Sequence, residues 1–164
     1  MNRERTDLLE TLGKHRFFLR NTTRELADAD ARKRTTVSAL HLGGLIKHVT
    51  ATERAWADFI LTGPAAFDTG GDWAAWEAQH TMLETETLEE LLAEYALVAA
   101  RTDELIATLP DLDADQPLPA APWFEPGARW SARRVLVHIL AETSQHAGHA
   151  DIIRESLDGA KSMG

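Results

Sequence analysis

A row of titratable side chains recurs at helical spacing near the end of the sequence. The stripe of the predicted helix that carries it reads Val135, His138, Glu142, His146, His149 and Ile153. An apolar stripe is expected on a helix that packs against a core, yet four of these six residues titrate. A glutamate buried beside imidazoles is costly unless it is paired, so such a row persists if its groups pair, face solvent or bind a metal.

Metal binding is one chemistry that this spacing suits. Residues four apart on a helix have Cβ atoms about 5–6 Å apart. His138 with Glu142, or Glu142 with His146, could therefore grip one cation. A divalent cation needs a further ligand, and His48 on the inward stripe of another predicted helix is the strongest candidate. Three N/O ligands with an open fourth position are typical of a catalytic zinc site.

These residues also have explanations without a metal. Glu and His four apart often form a surface ion pair, and an inward histidine such as His15 is often a hydrogen-bonded core residue. His41 lies nearly two turns before His48, so His41 and His15 are the weaker ligand candidates. His149 could contact and orient a metal ligand, transfer a proton, or lie at the rim of a site. His80 falls in a predicted loop, where we expect it to be solvated.

Four helices must position these side chains, and each has a recognisable boundary. Caps and breakers place them at about Glu4–Leu26, from the N-cap Ser38 to about Leu61, from the Thr87–Glu90 capping box to Leu109, and from the N-cap Ser131 to Leu157 before Gly159. The chain shows no internal repeat and no convincing strand pattern. It therefore predicts one all-α domain over residues 1–164, a four-helix bundle.

Two long connections interrupt the helical pattern. Residues 65–86 are predicted to form a long ordered loop and residues 111–130 an irregular, aromatic-rich crossover, and at least one of the two is expected to cross an end of the bundle. They carry Trp73, Trp76, Trp123 and Trp130, which either cover the ends of the bundle or wall a ligand pocket. Trp123 and Trp130 are the candidate pocket residues.

Composition excludes several classes of protein. The 164 residues include 26 acidic and 17 basic side chains, and the net charge of −9 argues against nucleic-acid binding. No apolar run approaches the ~20 residues of a membrane span, and the N-terminus lacks a secretory signal, so a cytoplasmic protein is expected. Cysteine is absent, which excludes a disulfide framework, a thiolate metal site and a cysteine nucleophile.

Two segments resemble the signature regions of a known family. Residues 38–48 read SALHLGGLIKH and residues 138–151 read HILAETSQHAGHAD. They are similar to the two signature regions of the DinB superfamily of four-helix metalloproteins, and the likeness extends over nearly the whole chain. The sequence most resembles the branch that includes mycothiol-dependent maleylpyruvate isomerase and related thiol S-transferases.

The resemblance implies a specific ligand set. One histidine of the second helix and two residues four apart on the fourth bind a divalent metal in that family, usually zinc or nickel. These positions fall on His48, Glu142 and His146. Many members have histidine at the position of Glu142, whereas the maleylpyruvate isomerase branch has glutamate there. Two nitrogens and one carboxylate make a harder site that selects less strongly among Zn, Ni, Mn and Fe.

The implied reaction uses a low-molecular-weight thiol such as mycothiol, which the metal holds as thiolate and presents to an electrophile. Arg16, Arg20 or Arg129 could hold an anionic thiol or substrate, with nothing in the spacing to choose among them. The alternatives are a metal-dependent hydrolase or iron oxygenase, a non-catalytic metal- or ligand-binding stress-response module, and a polar stripe that faces a dimer partner without metal. Relatives often dimerise, so a homodimer stays open.

Overall fold

The structure, a computed structural model, describes residues 2–68 and 78–162. Trp73 and Trp76, and the part of the predicted loop that carries them, lie outside the described residues. The described helices are α1 (Arg3–Asn21), α2 (Asp28–Ala31), α3 (Leu42–Thr62), α4 (Leu88–Thr108) and α5 (Ala132–Asp158), with a 3-10 turn at Gly63–Phe67. Four of them are long, which confirms the all-α four-helix bundle.

Several helix boundaries follow directly from their caps. The Thr87 side chain accepts from the Glu90 backbone N–H and Glu90 reaches back to Thr87, so α4 begins with the predicted capping box. Ser131 accepts from the Arg134 N–H at the start of α5, and Gly159 ends that helix in the left-handed conformation, with φ 81°. These three predictions are confirmed.

Two predicted boundaries are wrong. The first helix ends at Asn21 rather than near Leu26, because the hydroxyls of Thr22 and Thr23 donate to the last carbonyls of α1 and the chain then turns. The second long helix begins at Leu42, not after Ser38. The Ser38 hydroxyl instead accepts from the Leu40 N–H in a local turn, and His41, the N-cap of the helix, still has extended backbone.

A small antiparallel sheet lies within the second long connection. Strand β1 (Asp115–Pro117) pairs with β2 (Arg129–Ser131), with Gln116 opposite Trp130. Strands of three residues are too short to show an alternating pattern, which is why the sequence predicts an irregular connection there. Strand β2 ends at Ser131, which is also the N-cap of α5.

Two clusters of buried apolar side chains define the direction of each helix. One contains Leu12, Trp56, Phe59, Ile106 and Val135, and the other contains Leu19, Leu45, Tyr95, Ala147 and Ile153. Helices α1 and α5 therefore run from the first cluster to the second, whereas α3 and α4 run the opposite way. Helices α3 and α4 are therefore parallel: α3 ends near the first cluster and α4 begins near the second.

The centre of the bundle also holds a buried ion pair. Arg16 of α1 is bidentate on Glu53 of α3 and donates at 2.7 Å to Asp103 of α4. The Glu53 side chain is 1% exposed, so its charge is balanced by Arg16 rather than by water. Within the described residues, no helix has both the length and the apolar character needed to span a membrane.

Candidate metal site

The titratable row of α5 lies beside the helix's buried stripe rather than on it. The buried stripe includes Leu136, Ile139, Thr143, Ala147 and Ala150. The row is displaced from it by about one residue, so its side chains are partly exposed: 23% for His138, 28% for Glu142 and 14% for His146. The row therefore borders the core while one edge stays open to solvent.

His48 approaches this row from α3. Its ring centroid lies 4.8 Å from that of His146, with the rings nearly perpendicular. Burial lowers the pKa of His48 to about 4, so its imidazole is neutral at pH 7 and carries a free lone pair. Among the described residues, no group hydrogen-bonds to the buried Nδ1 atom of His48.

The three residues that the resemblance selects lie together. One donor atom each from His48, Glu142 and His146 falls within 4.8 Å of the others. Burial also lowers the pKa of His146, which keeps this second imidazole neutral. Two neutral imidazoles and a carboxylate on two different helices match the donor chemistry of a divalent cation such as zinc.

His149 contacts His146 on the side of the ring that faces away from Glu142. Nε2 of His146 lies 3.6 Å from Oε2 of Glu142, while its Nδ1 lies 3.3 Å from Nδ1 of His149. One of the two rings donates a hydrogen bond to the other. This contact orients the His146 ring so that Nε2 is the atom turned toward Glu142.

His138 contacts Glu142 but lies outside the three-residue cluster. Its Nε2 is 3.9 Å from Oε1 of Glu142. The ring packs edge-on against Trp56 and Trp130, with centroids 4.8 Å and 5.1 Å away. Trp130 therefore contacts His138, next to the three-residue cluster. Trp123 is 70% exposed, and its described ring contact is with Phe124.

The weaker ligand candidates have other positions. His41 is buried at the start of α3, where its Nε2 accepts from the Met82 N–H at 3.1 Å. Burial lowers the pKa of His41, so it too is neutral. His15 is half-buried on α1 and packs against Phe18.

The three arginines considered as anion ligands are dispersed. Arg16 is buried in the ion pair with Glu53, Arg129 pairs with Asp115 beside the small sheet, and Arg20 lines an open depression between the end of α1 and the start of α4. The expectation that one of them binds an anionic substrate finds no support in the first two positions, because each guanidinium already faces a carboxylate.

His80 is a residue of this neighbourhood that the sequence does not reveal. Its ring stacks on that of His48, with centroids 4.1 Å apart and an interplanar angle of 24°. His80 does lie in a turn of the predicted loop, but its ring is only partly exposed and packs on His48 rather than extending into solvent. No local pattern marks it, because the contact depends on how the long connection between α3 and α4 lies on the bundle.

Fold and site together define a DinB-like helical bundle with a His/Glu/His cluster that could hold a metal. The chain belongs to the mycothiol S-transferase family, whose model matches residues 7–159. A solved structure titled "Crystal structure of the conserved protein of locus from Enterococcus faecalis" has a similar fold, with a TM-score of 0.66, 16% identity, and coverage of 98% of this chain and 99% of that one. No curated protein matched the sequence.

Proposed function

We propose that this protein is a metal-dependent S-transferase that transfers a low-molecular-weight thiol of the mycothiol type to an electrophile. The observation that carries the proposal is the convergence of His48, Glu142 and His146 in a member of the mycothiol S-transferase family. The three would hold one divalent cation, with zinc as the first candidate and nickel as the second. When bound, such a cation stabilises the thiolate form of a thiol near neutral pH.

The chain's own residues support this chemistry in two ways. Burial keeps His48 and His146 neutral, so no proton has to leave them before they can donate a lone pair. The partial exposure of the α5 row leaves one side of the cluster open to a small molecule. Since the chain contains no cysteine, the reacting sulfur has to come from a cosubstrate.

The proposed reaction joins the sulfur of the thiol to a carbon atom of the electrophile. The thiol releases its proton to solvent, and the sulfur lone pair forms a bond to an electrophilic carbon. The leaving group departs with its bonding electrons, or, for an activated double bond, the adjacent carbon takes up a proton. An isomerase would then release the thiol again. The role of His149 is to hold the His146 ring in the tautomer and orientation that this set requires.

The first test is elemental analysis of protein purified without a metal-binding tag. We expect about one transition-metal ion per chain in the wild type, and its loss in His48→Ala and His146→Ala. His15→Ala, which alters a half-buried histidine outside the cluster, should retain the metal. A wild type that stays metal-free after incubation with zinc and nickel would overturn the proposal.

The second test is thiol-dependent consumption of an electrophile. The loaded wild type should consume a model electrophile such as a haloarene or maleylpyruvate only when a thiol is supplied, and His48→Ala should not. Activity that requires Fe(II) and oxygen would identify an oxygenase instead, because two histidines and a carboxylate also suit that metal. A metal that raises the melting temperature without any thiol-dependent reaction would indicate a structural site.

A further inference from the structure

The position of His80 beside the cluster results from a segment that docks on the start of α3. We call residues 80–86 the docked segment. His80 stacks on His48, and it lies close enough to both His48 and His146 to disfavour their protonation. The ring therefore lies next to the two nitrogen ligands of the proposed set, although it comes from neither of their helices.

Polar contacts hold the docked segment along its length. The Met82 N–H donates to Nε2 of buried His41 at 3.1 Å. Lys47, the residue before His48, donates to the Thr81 carbonyl at 3.2 Å and pairs with Glu86 at 2.6 Å. These contacts lie directly after His80, so they fix the backbone from which its side chain extends.

Two adjacent glycines allow the segment to come this close. A Cβ atom on Gly44 would collide with the His80 carbonyl oxygen and would lie 2.8 Å from Cε1 of His41. A Cβ atom on Gly43 would collide with the Met82 side chain, which is flexible, whereas the obstacle at Gly44 includes backbone. Gly44 therefore permits a close approach that alanine would prevent.

We propose that His80 is a positioning residue of the metal site: its ring, placed by the docked segment, fixes the orientation of the His48 imidazole toward Glu142 and His146. The proposal rests on the proposed function, because it concerns the same ligand set. His48 has no described hydrogen bond at Nδ1 that could orient its ring. Stacking against His80 supplies the constraint that a hydrogen bond supplies for most metal-bound histidines.

The experiment compares His80→Ala with His80→Phe. Phenylalanine keeps an aromatic ring against His48 but has no nitrogen, so it separates packing from metal ligation. We expect His80→Ala to weaken zinc affinity about 10–100-fold in a competition titration with a chromophoric chelator, and His80→Phe to restore most of it. The visible spectrum of the Co²⁺-loaded protein should change in His80→Ala and return toward that of the wild type in His80→Phe.

A second pair of variants tests the placement of the ring. Gly44→Ala should displace the docked segment and weaken zinc binding as His80→Ala does. Gly13→Ala, whose Cβ would meet no atom within 4 Å, is the matched control and should leave zinc binding unchanged. If Gly44→Ala fails to fold, the His80 variants still decide the matter.

The possible failures are distinct. A wild type that binds neither zinc nor nickel overturns the proposed function itself. Zinc binding by the wild type that is equally tight in His80→Ala overturns the positioning role alone. An equal loss of affinity in His80→Ala and His80→Phe also overturns it, because the nitrogen rather than the ring plane would then be required.

Discussion

The Nδ1 atoms of His146 and His149 lie 3.3 Å apart on successive turns of α5. When Nδ1–H of His146 donates to Nδ1 of His149, the lone pair of the neutral His146 ring lies on Nε2, which faces Glu142 at 3.6 Å. The contact thus selects which atom of His146 is available to a cation. In the proposed metal site, this one hydrogen bond would give His149 a role in orienting His146, three residues away.

The contact predicts that His149→Ala weakens metal affinity without removing the site. We expect a loss of about 10-fold in zinc affinity, because His146 keeps its lone pair but loses the partner that orients it. A competition titration measures the change. Gln145→Ala, an exposed position on the same helix, is the control and should bind as the wild type does. Unchanged affinity in His149→Ala would show that the contact has no influence on the metal.

Glu142 has a histidine on each side, and the two should respond differently to substitution. His146→Phe should lose the metal, whereas His138→Phe should keep about one ion per chain, because His138 lies outside the cluster that includes His48. Phenylalanine preserves the packing of His138 against Trp56 and Trp130. Elemental analysis after desalting measures both. Metal loss in His138→Phe would instead indicate that His138 is a metal ligand, which would place the site one turn earlier on α5.

The buried ion pair predicts a large effect on stability. Arg16→Met leaves the Glu53 carboxylate buried without its partner, so we expect the free energy of unfolding to fall by about 3–5 kcal/mol in urea titrations. Arg3→Met breaks an exposed pair with Asp7 and should cost less than about 1 kcal/mol. The double variant Arg16→Met with Glu53→Met should recover part of the loss. Equal losses in Arg16→Met and Arg3→Met would contradict this view of the pair.

The lowered histidine pKa values predict a pH dependence of the metal-free protein. The pKa of His48 is about 4 in the folded state and that of His138 is also lowered, while histidines of the unfolded chain titrate near 6.5. Below pH 6.5 the unfolded state therefore binds more protons. The contribution of these neutral histidines to the free energy of unfolding should be fully present above that pH and should fall as the pH drops toward 4.

Urea denaturation with a chelator present measures this dependence, with a slope of up to about 1.4 kcal/mol per pH unit for each proton. His48→Asn removes one of the titrating groups and should show a shallower slope than the wild type. A free energy of unfolding that stays constant down to about pH 4.5 would show that these imidazoles are not held neutral by the fold.

Much of the fold can be predicted from short-range signals. The capping box at Thr87, the N-cap Ser131 and the stop at Gly159 each depend on residues within one turn, and the structure confirms all three. Ser38 misleads because its hydroxyl can close a turn as well as cap a helix, and the sequence does not distinguish the two.

The candidate site likewise has residues that local sequence patterns predict and one residue that they do not. The row on α5 follows from spacing, and the selection of His48, Glu142 and His146 follows from resemblance to a family. His80 depends on a contact between segments distant in the sequence, and no local pattern predicts it. Gly43 and Gly44 do suggest close packing, but the sequence does not show which segment approaches them.

The site takes His48 from the first half of the chain and Glu142 and His146 from the second, on helices that run in opposite directions. A cation bound there would act as a removable crosslink that closes a loop containing all of α4. Because the unfolded chain does not hold these ligands together, the ion would bind the folded state preferentially and stabilise it by mass action. The free energy of unfolding would then rise with the concentration of free metal.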